Sequence, residues 1–174
     1  VALIPILSDA RGIALVVKKW ERKQRLPDAI VIEHPRWAGG HLGAAKVDDL
    51  ADPRFDLERV LPEAQAFLRS AGIEREVPLI VAGGIRTFED IARVQSAGAA
   101  AVQLGTPFVA TEECDAHPAF KQVLASARDE DMIEFTSGLD RHNHRVVPQR
   151  LQAVGITLLL IEGRACVRDI SDNE

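Results

Sequence analysis

Cysteine is scarce in this sequence of 174 residues: Cys114 and Cys166 are the only two. They stand far apart, fit no zinc or redox spacing, and no Cys-x-x-Cys occurs, so both read as reduced thiols of a cytoplasmic protein. Cys114 has no base paired with it in the sequence and reads as a packed thiol rather than a nucleophile. Long apolar runs are lacking as well. Stretches such as Ile156 to Ile161 fall far short of the roughly 20 residues a membrane helix needs, and no charged flank precedes the apolar run at the N-terminus, so neither a membrane partner nor a targeting segment is expected. Positive charge is not in excess. Lys and Arg total 21 against 26 Asp and Glu, a net charge of -5, which argues against nucleic acid or an anionic membrane as the main partner. The dinucleotide fingerprint Gly-x-Gly-x-x-Gly is absent too, which disfavours a Rossmann site.

What is present is the balance of a folded globular protein, 47% hydrophobic and 27% charged. Folding at this length removes roughly 70% of the unfolded chain's surface from water, enough for a core without disulfides or a structural metal. The chain opens on "VALIPIL" with no Met at position 1. Its first residues therefore read as a buried strand cut from something longer.

Apolar runs of strand length alternate with segments of helical period, which predicts βαβα architecture with a parallel sheet. Four units are countable. A strand over Ala2 to Leu7 precedes a helix capped by Ser8 or Asp9 and running to about Trp20; a second strand covers Ala29 to Glu33. The loop "HPRWAGGHLGAAKVDDLADPRFD" is too broken and glycine-rich to be an element, and long loops in compact domains are commonly functional. The next helix is announced by Pro62, favoured in a first turn, and ends at Gly72. A third strand over Val77 to Ala82, a helix after Thr87 closed by Gly98, and a fourth strand over Ala100 to Leu104 follow. "HPAFKQVLASARDED" reads as one more amphipathic helix, and from Thr136 onward no period is clear until "LLLIEG". The domain division expected is a half barrel over residues 1–128 and a C-terminal extension of unassigned structure over 129–174.

Two segments carry the sharpest chemical signal. In "IVAGGIRT" and "VQLGTPF" a buried strand ends in glycine and is followed by a hydroxyl residue and a helix start. Glycine admits a close approach of ligand to backbone, and free N–H groups at a helix N-terminus attract phosphate oxygens. In a (β/α)8 barrel the phosphate site is frequently built from the loops after the seventh and eighth strands, where these units fall if the chain is a second half. The other constellation is "EHPRWAGGHLG", in which a strand ends at Glu33 and a Gly-Gly turn presents His41. A histidine there, on the same barrel face as the phosphate cradle, has the chemistry to take a proton from a carbon acid. The triplet "HNH" at 142 to 144 lacks partner ligands and reads as coincidence, so no metal is expected.

Together "PILSDA", "AIVIEHPRWAGGHLG", "VPLIVAGGIRT", "GAAAVQLGTPFVATEE" and "HPAFKQ" resemble the nitronate monooxygenase family, formerly called 2-nitropropane dioxygenases, which also includes flavin-dependent enoyl-acyl-carrier-protein reductases. The match runs over about positions 5 to 125. The resemblance implies a TIM-barrel flavoprotein that binds FMN without a covalent bond. Gly83, Gly84, Gly105 and Thr106 would hold the FMN phosphate; Gly39 and Gly40 would pack near the flavin; His41 would be the catalytic base. Ser8 and Gln103 would face the cofactor, and Glu33 and Trp37 the small-molecule substrate. The activity implied is oxidation of alkyl nitronates or nitroalkanes with dioxygen; the alternative within the family is reduction of an enoyl thioester with NAD(P)H. Where many relatives have Glu-Gly-Pro-Glu-Ala before the Gly-Gly-His, this chain has His34, Arg36 and Trp37 in a segment one residue longer, and it has "SGLDRHNHRVV" where relatives carry Gly-x-Pro-x-Arg. A whole barrel takes about 250 residues, so the four units read as its last four. The expected complement of the exposed sheet edges is the missing N-terminal half of the barrel or a second copy of the chain, with the fragment reading preferred. A half barrel kept as an interaction domain is the non-enzymatic alternative.

Overall fold

The computed structural model describes residues 1–37, 44, 47–128, 133–137, 143–146, 156–161 and 164–169. Two compact units divide the chain: Val1–Ala38 with Asp48–Leu104, and Gly39–Val47 with Gly105–Glu174.

The first unit is built on four parallel strands, β1 (Ile6–Leu7), β2 (Ile30–Glu33), β3 (Leu79–Ala82) and β4 (Ala101–Gln103), paired in the order β1-β2-β3-β4. Strand β1 is shorter than the sequence suggested. Pro5 has no N–H to give a ladder; its carbonyl accepts from Val31 N–H at 2.9 Å, and upstream of it the chain is held by single bonds, Asp28 N–H to Leu3 O at 3.0 Å and Leu3 N–H to the Asp28 carboxylate at 2.8 Å. Helix α1 (Ala10–Glu21) is capped by Asp9, whose carboxylate accepts from Gly12 N–H at 2.5 Å, so Ser8 is not the cap. Helix α2 (Leu57–Ser70) starts a full turn before Pro62, which lies inside it. The earlier start follows from the buried positions Leu57, Val60, Leu61, Ala64 and Leu68. These fall on one stripe at helical spacing, and their burial outweighs the one intrahelical hydrogen bond that a proline forfeits. Helix α3 (Phe88–Ser96) begins and ends as read, with Thr87 as its cap and Gly98 just beyond at φ +101°. The long loop is not wholly irregular, since short 3-10 turns form at Pro35–Trp37, Val47–Ala51 and Pro53–Phe55.

Strand register sorts the sheet's two faces. Leu7, Ile32, Val81 and Val102 form one row across the sheet and belong to or border a core that includes Ile13, Val17, Leu61, Leu68 and Val94 of the helices. Helix α1 packs on α2, and α2 on β2. The alternate rows, Ile6–Val31–Ile80–Ala101 and Glu33–Ala82–Gln103, take the opposite face, where Ile6 is 54% exposed.

The second unit contains α4 (Thr106–Val109), α5 (Pro118–Ser126) and strands β5 (Ile133–Ser137), β6 (Asn143–Val146), β7 (Ile156–Ile161) and β8 (Arg164–Asp169), the strands ordered β6-β5-β8-β7. Pairs β5–β6 and β7–β8 are antiparallel and β5–β8 is parallel. The described residues of the tail that showed no clear period in sequence are thus all in strands. Lys121 on α5 ties down the preceding loop by donating to the carbonyls of Thr111 and Cys114 at 2.6 and 2.5 Å. Among the described residues no helix is long and apolar enough to cross a membrane.

Candidate functional site

The C-terminal ends of β2 and β3 meet in a small constellation. Beyond Ala82 the chain turns through Gly83 and Gly84, both at positive φ, +88° and +74°. Side chains rarely adopt that conformation. Space is also tight here: a Cβ on Gly83 would stand 3.3 Å from the backbone N and O of His34, and one on Gly84 would stand 3.1 Å from Trp37 Cγ and 3.2 Å from Cδ1. The indole of Trp37 therefore lies against this turn. The N–H groups of Gly83, Gly84 and Ile85 have no acceptor among the described residues. Ile85 itself is buried, so a run of free donors stands at the strand end, the arrangement in which backbone N–H groups attract an anion.

The start of α3 is different. Asp90 accepts from Arg86 N–H and Thr87 N–H, both at 3.0 Å, and from the Thr87 hydroxyl at 3.1 Å, while Thr87 Oγ1 accepts from Asp90 N–H at 3.1 Å. This capping box holds the Asp90 carboxyl below the usual carboxylate range, chiefly through the Arg86 and Thr87 backbone bonds. The helix N-terminus expected to draw phosphate is thus occupied by its own carboxylate, and what β3 offers an anion is the glycine turn alone. The Thr-x-x-Asp spacing at 87 to 90 was the sequence signal for it.

His34 anchors the adjoining turn. Its N–H donates to Ala82 O at 3.3 Å, its carbonyl accepts from Trp37 N–H at 3.0 Å, and its Nδ1 accepts from Arg36 N–H at 3.1 Å. Its Nε2 lies 3.8 Å from Asp56 Oδ1, and its side chain is only 12% exposed. Burial lowers its pKa from the ordinary histidine value, against an upward pull from Asp56. The guanidinium groups of Arg36 and Arg86 stand 5.3 and 5.8 Å from the Trp37 ring centroid, within cation–π range. A cavity of about 320 Å³ opens here, lined among others by His34, Arg36, Trp37, Asp56, Gly83 and Gly84. Asp56 and Arg86 were not among the residues singled out from sequence, because their partners lie on other elements.

On the sheet's opposite face, Glu33 and Gln103 flank Ala82 in one register row. Burial raises the pKa of the Glu33 carboxyl. Ser8 is half-buried at the bend between β1 and α1. Gly105 and Thr106 follow β4 after Leu104 but belong to the second unit, where Gly105 precedes α4 and a Cβ on it would meet nothing within 4 Å. Gly39, Gly40 and His41 lie outside the described residues.

Parallel βα units laid down in chain order, with glycine turns at the strands' C-terminal ends, define a TIM-barrel α/β protein, of which these are four units. The model of the family "Nitronate monooxygenase" matches residues 1–154, and the chain belongs to that family. It is 30% identical over 109 residues to a protein named "Probable nitronate monooxygenase" from Bacillus subtilis (strain 168), covering 63% of this chain and 29% of that one. A protein of the same name from Staphylococcus haemolyticus (strain JCSC1435) is 29% identical over 105 residues, 60% of this chain and 28% of the relative. Among solved structures, FabK from Thermotoga maritima superposes with a TM-score of 0.61 at 27% identity, over 84% of this chain and 39% of that one. The nitroalkane oxidase of Streptomyces ansochromogenes shares the fold, with a TM-score of 0.59 at 24% identity over 88% and 41%. The chain thus spans well under half the length of each of these relatives.

Proposed function

We propose that this chain is the part of an FMN-dependent oxidoreductase that holds the cofactor's phosphate and supplies the proton-abstracting base, acting on small nitronates or nitroalkanes with dioxygen. The observation that carries the reading is the Gly83–Gly84 turn, where two positive-φ glycines are followed by a run of N–H groups without acceptors among the described residues. A phosphate fits that donor set, whereas a side chain at either glycine would be strained at positive φ and crowded by His34 or Trp37. Gly105 and Thr106 would complete the phosphate contacts, and Gly39 and Gly40 would lie against the ring. Ser8 and Gln103 would reach the cofactor, while Glu33 and Trp37 would bound the substrate. FMN, when bound, supplies the electron-accepting chemistry. His41 has the separate task of removing the proton from the carbon beside the nitro group.

Family membership supports this reading, and the division of labour makes it testable. Purified protein is titrated with FMN by absorbance, with its mass in solution recorded on the same sample. The flavoprotein is then assayed on a nitroalkane and on the pre-ionised nitronate. His41→Asn is expected to keep FMN and nitronate oxidation while losing the nitroalkane, because only the neutral substrate needs a base. Equal loss on both substrates would remove His41 from that role. NADH oxidation with a crotonyl thioester, and none of the nitronate activity, would replace the reading with the enoyl reductase chemistry that the same resemblance implies. No FMN binding, even with the remaining barrel half supplied, would leave a half barrel serving as an interaction domain.

A further inference from the structure

The turn at Pro35–Trp37 is held by the Trp37 N–H to His34 O bond and by a second contact that depends on the charge state of one side chain. His34 Nδ1 accepts the Arg36 N–H, an i to i+2 bond that does for histidine what an Asx-turn does for Asn or Asp. An imidazole nitrogen accepts only when it carries no proton, so this bond fixes the neutral tautomer with its proton on Nε2. That Nε2–H faces Asp56. Two residues on, the indole of Trp37 lies against the Gly83–Gly84 turn. We propose that His34 is a positioning residue whose uncharged imidazole fixes how Trp37 sits on the glycine turn, so that a single proton loosens the Pro35–Trp37 turn and shifts the indole.

The physical cause is a conflict of donors. A proton on Nδ1 sets N–H against N–H, and the bond to Arg36 is lost, while the new positive charge is drawn toward α2. The charged groups around the ring are Asp56, which precedes α2, and Glu58 of α2, which favour the imidazolium, and Arg36 of its own turn, which opposes it. Arg93 of α3 also lines the cavity, but it is paired with Glu58. Burial opposes the charge more than the carboxylates favour it, so the neutral, latched form holds at pH 7 and release lies below the ordinary histidine value of about 6.5.

The bearing of this latch on the cofactor rests on the flavin reading, but the latch itself is read in flavin-free protein, so failure to bind FMN leaves the test standing. The indole N–H resonances of Trp20 and Trp37, assigned with Trp20→Phe, are followed between pH 8 and 5 together with the His34 ring protons. Trp37 is expected to move through a one-proton transition with the midpoint of His34, while Trp20 on α1 stays fixed. His34→Asn, which keeps an acceptor for Arg36 N–H, should hold Trp37 at its high-pH position throughout. His34→Leu should hold it at the low-pH position even at pH 8, and Asp56→Asn should lower the wild-type midpoint. A Trp37 signal that ignores the His34 titration, that still titrates in His34→Asn, or that moves only together with Trp20 would overturn the proposal.

Discussion

Gly84 and Gly72 make a controlled pair. Both stand at φ +74°, but a Cβ on Gly72 would meet nothing within 4 Å, whereas one on Gly84 would press on Trp37 Cγ and Cδ1 at 3.1 and 3.2 Å. Replacing either by Ala places a side chain in the left-handed region, at about 1–2 kcal/mol, offset by about 0.4–1 kcal/mol from the stiffer unfolded chain. These two effects are common to both variants and cancel in the comparison. The remainder is overpacking, about 1–3 kcal/mol in a closed site. Trp37 is 40% exposed, so Gly84→Ala is expected to cost about 1 kcal/mol more than Gly72→Ala, the lower end of that range. Urea unfolding followed by circular dichroism measures both. In a Trp37→Ala background the excess should vanish to within about 0.3–0.5 kcal/mol, the ordinary scatter of additivity. Equal costs for the two single variants, or an excess that survives removal of Trp37, would refute the contact as the reason for glycine at 84.

Three further outcomes follow from the same structure. Ile32 is fully buried in the row that faces the helices; Ile32→Ala should lower unfolding stability by about 2–5 kcal/mol and Ile32→Val by about 0.5–1.5 kcal/mol, checked by the same denaturation. Thr87→Ala removes the side chain that accepts from Asp90 N–H and should cost about 1 kcal/mol, with amide exchange accelerated in the first turn of α3. The raised Glu33 pKa carries a sign: the folded state prefers the protonated form, so stability from this group is complete below its unfolded value and is lost as pH rises through the folded one. Glu33→Gln should therefore be the more stable protein at pH 7, with the difference closing below about pH 4; a gap that widens at low pH would contradict the burial argument.

How much of this was legible in the sequence depended on whether the cause was local. Strand β2 and helix α3 were readable because a β-branched run and a Thr-to-Gly frame declare themselves within a few residues. Pro62 misled because its N1 preference is a local prior, whereas the stripe from Leu57 to Leu68 gains its energy from a core the sequence does not display. Pro5 shortened β1 by withholding a donor, a cost that depends on which neighbour the strand meets. The glycines at 83 and 84 were legible as a close approach of something to the backbone. That the something includes Trp37 was not, since the two lie on different elements. The pairing of His34 with Asp56 was hidden for the same reason.

The Gly83–Gly84 turn then has two separate reasons to be glycine, and they act through different atoms. A Cβ on either would press on His34 or Trp37, at 3.1 to 3.3 Å. The N–H groups face no acceptor among the described residues and stand available to an anion. Had the indole covered the donors, packing would compete with phosphate and one explanation would have to go. Since it occupies the Cβ direction instead, Trp37 can brace the turn while the N–H groups remain open. A brace of that kind acts through conformational entropy: a glycine pair loses more freedom on ordering than any other pair of residues, and whatever holds it before the ligand arrives reduces the ordering cost of binding. Removing the indole should accordingly weaken an anion at this turn without deleting any contact to it.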